Sequence, residues 1–192
     1  MTFDPDIHHR RSIRLRNYDY RNSGAYFVTI CTFQRECLFG VVMDGEMRMN
    51  ESGMLAHACW QGIPEHFPEV ELDVYVIMPN HIHGILVMHD RSRARHTLPD
   101  SLVLTRNNVN QARATHASPL RRSVGAIVGS FKSAVTKQMN EGRDNPGSTV
   151  WQRNFYEHII RNDEELAKSR RYITENPSKW RMDESNPANM IS

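Results

Sequence analysis

The chain has 192 residues, and its hydrophobic fraction of 39% is typical of one globular domain rather than a disordered chain. A net charge of +2 is too small to indicate nucleic-acid binding by itself. No apolar run approaches the roughly 20 residues of a membrane helix, and the N-terminus lacks an apolar signal-peptide core. Three cysteines without Cys-x-x-Cys spacing are expected to be reduced thiols. These features predict a cytoplasmic protein with no membrane partner.

The first third of the chain is predicted to contain an arm, a strand and a helix. Residues 1–24 lack hydrophobic periodicity and include the arginine-rich stretch RSIRLRNYDYR, so we expect a basic N-terminal arm. β-Branched and aromatic residues predict a buried strand at 25–33. A turn is predicted at 44–47, and apolar residues at helical spacing predict a helix from about Ser52 to His66.

The next segment is typical of a β-hairpin. Residues 69–78 alternate between apolar and polar side chains, and 81–88 (HIHGILVM) resume as a second strand after Pro79-Asn80. The alternation predicts that four apolar side chains of the first strand share a face: Val70, Leu72, Val74 and Val76.

The second half is predicted to contain two helices separated by a short strand. Residues 90–122 carry seven arginines against two aspartates and few large apolar side chains, so we expect a flexible basic insertion. An apolar stripe predicts a helix from Val124, and TVWQ (149–152) predicts a short strand. The last helix should begin near Asn162 and end at Asn176-Pro177, since proline cannot continue it.

The order of these elements predicts the fold class. Five of the steps follow the βαββαβ order of the split β-α-β pattern. We therefore expect an α+β fold in which a mainly antiparallel sheet has helices packed on one face. A single domain would span 25–180, with 181–192 as a tail.

Two histidines, His81 and His83, lie inside the apolar run of the second hairpin strand. Residues two apart on a strand point to the same face, with Cα atoms about 6.5–7 Å apart, so both imidazoles can reach one metal ion. Two partly buried histidines satisfied by hydrogen bonds would give the same pattern. A metal site would also need a third ligand from elsewhere and open positions for substrate.

The stretch YITENP (172–177) offers further candidate residues. Tyr172 and Asn176 are four residues apart, so they would share one face of the last helix. The amide oxygen of Asn176 is a hard ligand suited to Mg²⁺ or Mn²⁺, and the Tyr172 phenol can act as a nucleophile. Alternatively, Tyr172 merely packs and Asn176 only caps the helix.

Four segments in this order resemble the single-tyrosine HUH transposases, and most of all the REP-associated tyrosine transposases. Their sequences are MPNHIHGILV (78–87), VGSFKSAVTKQMN (128–140), VWQRNFYEHIIRNDEEL (150–166) and RRYITENPSKW (170–180). The resemblance runs from about Ala25 to Trp180, apart from the insertion at 90–122.

The resemblance implies a ferredoxin-like HUH transposase domain and a set of site residues. His81 and His83 match the metal-binding histidines, and Asn176 matches the polar residue that completes the metal site. Tyr172 matches the nucleophile. The implied activity is metal-dependent cleavage and strand transfer of single-stranded DNA through a 5′-phosphotyrosine intermediate, as in DNA transposition. The implied cofactor is a divalent metal ion, Mg²⁺ or Mn²⁺.

The resemblance also implies a DNA partner. The DNA would be single-stranded and would contain a hairpin of the REP type. Basic residues on or beside the helix after the insertion are placed to contact phosphates: Arg121, Arg122, Lys132 and Lys137. Related transposases act as dimers or as monomers, so either a monomer or a homodimer is expected.

Three alternatives stay open at this stage. Tyr156 is a second candidate nucleophile, flanked by Glu157 and His158, although it lies just outside the predicted last strand and no ligand-like residue follows it at i+4. The protein could instead be a metal-dependent hydrolase or nuclease that makes no covalent adduct. It could also be a catalytically silent, sequence-specific DNA-binding protein that retains the fold.

Overall fold

The computed structural model describes residues 23–89, 123–141 and 147–189. Within these ranges the strands form two sheets. The main sheet contains β1 (Gly24–Cys31), β4 (Val70–Ile77), β5 (His81–Met88) and β6 (Tyr156–Ile160). The small sheet is the hairpin of β2 (Gly40–Met43) and β3 (Glu46–Met49).

The helices of the described chain are α1 (Glu51–Gln61), α2 (Ile63–His66), α3 (Val124–Glu141) and α4 (Asp163–Lys179). Short 3-10 turns lie at Phe33–Arg35, Trp180–Met182 and Pro187–Asn189. None of the helices in this part of the chain has the length and apolarity that a membrane span requires.

The topology of the main sheet confirms the predicted α+β, ferredoxin-like fold. Its strand order is β4-β5-β1-β6, and every neighbouring pair is antiparallel. A helix connects β1 to β4 and another connects β5 to β6, which gives the βαββαβ order. The predicted β4–β5 hairpin is present, with Pro79-Asn80 in its turn.

Both faces of the main sheet are covered. On one face Tyr26, Val28 and Ile30 of β1 pack into the larger core with α1, α2 and α3. On the other face Ile173 of α4 packs against Ile85 of β5. The prediction that the helices lie on one face is therefore right for α1 to α3 and wrong for α4. The strands carry apolar residues on both faces, which is what a second covering layer requires.

A β-bulge divides β4 into two parts. The pairing register with β5 shifts between Leu72 and Tyr75. As a result, Val70 and Leu72 pack into the larger core, whereas Val74 and Val76 face α4. The prediction that these four side chains share a face is wrong, because one extra residue reverses the alternation.

The last strand lies later in the chain than predicted. It is β6, and in the predicted strand 149–152 only Trp151 forms an isolated bridge, to Thr32. The Trp151 ring packs 5.6 Å from the Phe131 ring. The prediction of a strand at 149–152 is wrong, because the pairing of this segment with the end of β1 is limited to one bridge. Two backbone hydrogen bonds flank the bridge, from Phe33 N–H to the Val150 carbonyl at 2.9 Å and from Gln152 N–H to the Cys31 carbonyl at 3.0 Å.

The last helix begins as predicted and ends later than predicted. The Asn162 side chain caps α4 by accepting a hydrogen bond from the backbone of Glu165 at 2.8 Å. The helix then continues through Pro177 to Lys179. The predicted end at Asn176-Pro177 is wrong because Pro177 lies in the last turn, where its missing N–H removes one hydrogen bond and the helix is about to stop.

Strand β5 passes directly beneath the indole of Trp60 in α1. A Cβ atom at Gly84 would lie 2.4 Å from the Trp60 ring, and Trp60 is fully buried. Glycine is therefore required at this point of β5 by close packing. This contact fixes the position of the strand that carries both histidines.

Replacing Gly84 by alanine should lower the free energy of unfolding by about 1–3 kcal/mol, because the added methyl group overpacks a filled core. Urea unfolding followed by circular dichroism measures the change. Gly129→Ala is the matched control, since a Cβ there meets nothing within 4 Å and the residue lies in α3. We expect that control to be neutral or slightly stabilising. Equal stability of Gly84→Ala and the wild type would contradict the packing argument.

Candidate active site

His81 and His83 lie side by side on the face of β5 that α4 covers. Their ring centroids are 4.5 Å apart, and the side chains are only 1% and 5% exposed. The His83 ring contacts the Tyr172 ring, and the His81 ring lies 6.0 Å from the Trp180 ring. Two buried imidazoles therefore converge on a rigid internal strand of the sheet.

The Nδ1 atom of each imidazole lies within hydrogen-bond distance of a neighbouring polar side chain. Nδ1 of His81 lies 2.9 Å from Oδ1 of Asn80, and Nδ1 of His83 lies 2.8 Å from Oγ1 of Thr29. Nε2 of His83 faces the Tyr172 hydroxyl at 3.4 Å. Nε2 of His81 is buried and has no hydrogen-bond partner among the described residues. Histidines that bind metals are typically oriented in this way through their second nitrogen.

Asn176 of α4 supplies the third polar group of the site. Its side chain is 3% exposed, and its Oδ1 atom is buried without a hydrogen-bond partner in the described part of the chain. Asn176 lies close enough to His81 and Tyr172 to influence the pKa of each. Leaving a buried acceptor unpaired costs about 1–3 kcal/mol. Two such acceptors at one place fit a bound cation, which can take a lone pair from each.

The donor set defines which ions suit the site. Among residues 23–89, 123–141 and 147–189, no three His, Cys, Asp or Glu side chains lie together in a way that could hold a metal. The amide oxygen of Asn176, which lies beside His81, is a group that could serve as a third protein ligand for a metal at His81 and His83. Two imidazoles and one amide oxygen fit a divalent ion of the Mn²⁺ or Mg²⁺ type, with positions left for substrate oxygens.

Burial keeps both imidazoles neutral. It lowers the pKa of His81 to about 4, and it lowers the pKa of His83 well below the ordinary histidine value. Neutral rings at physiological pH have a free lone pair, which is the form that binds metal ions.

Tyr172 lies at the rim of the site. Its side chain is 47% exposed, and its ring makes edge contacts with His83 at 5.1 Å and with Phe27 at 5.9 Å between centroids. Partial burial raises the pKa of Tyr172, and the negative charge of Asp183 adds to this effect. The phenol is therefore protonated at neutral pH, while its oxygen stays accessible to a substrate.

Helix α4, which carries Tyr172 and Asn176, is anchored to the sheet by residues of the same chain. Helix α4 is anchored to β4 by Arg170, whose guanidinium lies 2.7 Å from the Asp73 carboxylate. The Asp73 carboxylate also accepts a hydrogen bond from the backbone N–H of Val74 in the bulge of β4. The bulge thus presents the anchor for the helix that carries Tyr172 and Asn176.

Comparison with known proteins gives relatives for the chain, although no protein-family model matches it. An uncharacterized protein of Haemophilus influenzae is 40% identical over 184 residues, which cover 95% of this chain and 96% of the relative. The chain belongs to the same family as this Haemophilus protein. A second Haemophilus influenzae protein, provisionally named a REP-associated tyrosine transposase, is 26% identical over 168 residues, or 86% of this chain and 77% of the relative.

A solved structure shares the fold. It is a REP-associated tyrosine transposase bound to a REP hairpin, with a TM-score of 0.55 and 18% identity, covering 86% of this chain and 73% of the other. The resemblance to REP-associated tyrosine transposases that the motifs predict is therefore confirmed in fold, and the second Haemophilus protein carries the same family name.

Tyr156, the alternative nucleophile, lies inside β6, so its predicted position outside the last strand is wrong. It pairs with Thr29 across the sheet and is 39% exposed, and its ring meets the Phe27 ring edge-on at 6.2 Å. Tyr156 therefore shares the sheet face of His83, but its ring is in contact with Phe27 rather than with the imidazoles.

The predicted DNA contacts lie apart from this cluster. Nζ of Lys132 donates to the backbone carbonyls of Gln152 and Asn154 at 2.8 and 3.0 Å, and burial lowers the pKa of Lys132 to about 8. Lys137 is exposed and lies 3.8 Å from Glu141. Both lysines belong to α3, on the opposite face of the sheet from α4. Arg121 and Arg122 lie outside the described residues. Contact of these four basic residues with DNA stays a prediction.

Sequence patterns did not reveal the residues that orient the site. The sequence pattern predicts Asn80 only as part of a turn, and Thr29 only as part of a buried strand. The sequence signal available for Asn80 is its position directly before His81 in PNHIH. Its partners come from Arg35 and Ser185, which no local pattern connects to it.

The low pKa of His81 predicts that the folded protein loses stability at acid pH. The folded-state pKa of His81 lies below the unfolded value of 6.5, so the unfolded chain binds the proton first and stability falls as pH drops from about 6.5 toward 4. Protonation of the unfolded chain at His81 alone should lower the free energy of unfolding by about 3 kcal/mol at pH 4. Urea unfolding at pH 7, 5.5 and 4 measures this loss. The variant His81→Gln should show a smaller pH slope, and an unchanged slope would contradict the assignment.

Proposed function

We propose that this protein is a metal-dependent DNA strand transferase that cleaves single-stranded DNA by forming a covalent bond between Tyr172 and a 5′ phosphate. The observation that supports this most directly is the placement of the Tyr172 hydroxyl 3.4 Å from Nε2 of His83. Beside it lie two buried polar atoms, Nε2 of His81 and Oδ1 of Asn176, that have no hydrogen-bond partner among the described residues. The solved structure that shares the fold is a transposase bound to a REP hairpin, which supports a DNA substrate.

Three side chains would hold the cation: His81, His83 and Asn176. A divalent ion bound there would polarise the scissile phosphate and offset its developing negative charge. Nε2 of His83 has a single lone pair, so it cannot accept a hydrogen bond from Tyr172 and bind a cation at the same time. With a cation on Nε2 of His83, the Tyr172 hydroxyl would lose this contact and would be free to face the substrate.

The proposed chemistry uses Tyr172 as the nucleophile. Its phenolic oxygen forms a bond to phosphorus as the bond between phosphorus and the 3′ oxygen breaks. The phenol loses its proton, and the departing 3′ oxygen gains one to become a free hydroxyl. A 3′-hydroxyl can reverse the step and join strands, because the phosphotyrosine link retains the energy of the phosphodiester.

Exposed aromatic side chains support an unpaired DNA strand as the substrate. Tyr156 and Phe33 are 39% and 40% exposed, and Tyr156 lies on the sheet face that carries the histidines. Such rings stack unpaired bases without demanding one sequence. In this proposal the exposed Lys137 would contact phosphates, and Lys132 holds the loop at 152–154. A monomer would suffice, since one chain carries the whole candidate site.

Tyr172→Phe should abolish covalent adduct formation, because only the nucleophilic oxygen is removed. The assay incubates the protein with Mn²⁺ and labelled hairpin oligonucleotides from the DNA flanking its own gene, followed by denaturing gels. Tyr156→Phe is the matched control and should retain the adduct. Cleavage without an adduct in the wild type would instead indicate a nuclease, and binding without cleavage would indicate a DNA-binding protein.

Asn176→Leu should weaken Mn²⁺ binding strongly, because leucine fills the same space without a ligand oxygen. Isothermal titration of the protein with Mn²⁺ in the absence of DNA measures the affinity. His81→Ala, which leaves no donor atom, should have a similar effect. His89→Gln is the matched histidine control, since His89 follows β5 outside the site and pairs with Glu71. Unchanged affinity in Asn176→Leu would remove Asn176 from the ligand set.

A further inference from the structure

Asn80 is a fully buried polar residue that precedes His81 and that the proposed reaction does not use. Its amide nitrogen donates to two backbone carbonyls, those of Arg35 at 2.9 Å and Ser185 at 2.6 Å. Its amide oxygen lies 2.9 Å from Nδ1 of His81. Every polar atom of this side chain therefore has a partner in the protein.

These contacts determine the orientation of the Asn80 amide. A backbone carbonyl can only accept a hydrogen bond, so the group facing Arg35 and Ser185 must be the NH₂ of Asn80. Oδ1 of Asn80 then faces His81 and can only accept. Nδ1 of His81 must carry the proton in this contact, and the lone pair of the neutral ring is therefore on Nε2.

The backbone of Asn80 is held as firmly as its side chain. Its carbonyl accepts a hydrogen bond from the backbone N–H of Thr32 at 2.9 Å, and the Thr32 hydroxyl shares its one proton between this carbonyl at 3.0 Å and the Glu36 carbonyl at 2.8 Å. Thr32 is itself fully buried. Asn80 is consequently a fixed support for the His81 ring rather than a mobile turn residue.

The carbonyl of Ser185 is presented by a segment that follows α4. Within this segment the backbone N–H of Ser185 donates to the Asp183 carboxylate at 2.6 Å, and the Asn186 side chain donates to the Trp180 carbonyl at 3.0 Å. The Arg35 guanidinium also donates to the Ser185 hydroxyl. The segment 180–186 therefore has hydrogen bonds of its own in addition to its contact with Asn80.

We propose that Asn80 is a positioning residue that holds His81 in the Nδ1–H tautomer, and that the Ser185 carbonyl makes the segment after α4 part of the same support. The role in metal binding rests on the proposed function. The tautomer is a property of the chain alone, and it can be measured without metal, DNA or activity.

The test records long-range ¹H–¹⁵N correlation spectra of the full chain without metal at pH 8, with His81 assigned from His81→Gln. The wild type should show His81 protonated on Nδ1, with a scalar coupling across the hydrogen bond to the Asn80 side chain. Asn80→Ala should lose this tautomer. Thr29→Val is the matched control, since it removes the partner of His83 and leaves Asn80 intact.

A wild-type His81 protonated on Nε2 would overturn the proposal, and so would an Asn80→Ala variant that keeps the Nδ1–H tautomer. If Asn80→Ala does not fold, the wild-type tautomer and coupling still decide the question. Titration with Mn²⁺ forms the second arm, and Asn80→Ala should bind about 10- to 100-fold more weakly than the wild type. A wild type that shows the expected tautomer and binds no Mn²⁺ would support Asn80 and refute the proposed metal site.

Discussion

The burial of β5 on both faces is the constraint on which the rest of the structure depends. Six consecutive residues, from His81 to Leu86, are buried. On one face the strand needs a glycine so that the Trp60 ring can pack against it. On the other face it carries two imidazoles. A buried polar ring is stable only when its nitrogens find partners, and this requirement explains the polar groups of Asn80 and Thr29 beside the histidines.

The helix that completes the site is placed by an irregularity in a neighbouring strand. The bulge in β4 turns Val74 and Val76 toward α4 and so gives the helix an apolar surface. The same bulge exposes Asp73 to Arg170. The continuation of the helix through Pro177 keeps Asn176 within regular helix, one turn after Tyr172. Both deviations from ideal secondary structure therefore serve the geometry of the site.

Local sequence patterns predict the elements well and their irregularities poorly. Alternation and helical spacing identify β4, β5, α1, α3 and α4, and the motif residues His81, His83, Tyr172 and Asn176 come together in the structure. The bulge in β4 cannot be recognised from the sequence, because apolar and polar residues still alternate on either side of the extra residue. The segment around Trp151 and β6 are both rich in β-branched and aromatic residues, so composition could not distinguish them. The partners of Asn80 and Lys132 are distant in sequence, and periodicity carries no information about them.

The two cores of the molecule differ greatly in size. In the part of the chain that the structure describes, the core under α1 to α3 includes Tyr26, Trp60 and Phe131 among many buried residues. The core under α4 has three buried apolar side chains there: Ile85, Ile160 and Ile173. Local opening free energies follow the buried apolar contacts of each unit, so separating α4 from the sheet exposes less buried apolar surface than separating α1 to α3. Tyr172 and Asn176 therefore lie on the layer with the smaller apolar core. In the proposed reaction, this small core would let a DNA strand joined to Tyr172 move with α4 away from the sheet and back while the larger core stays folded.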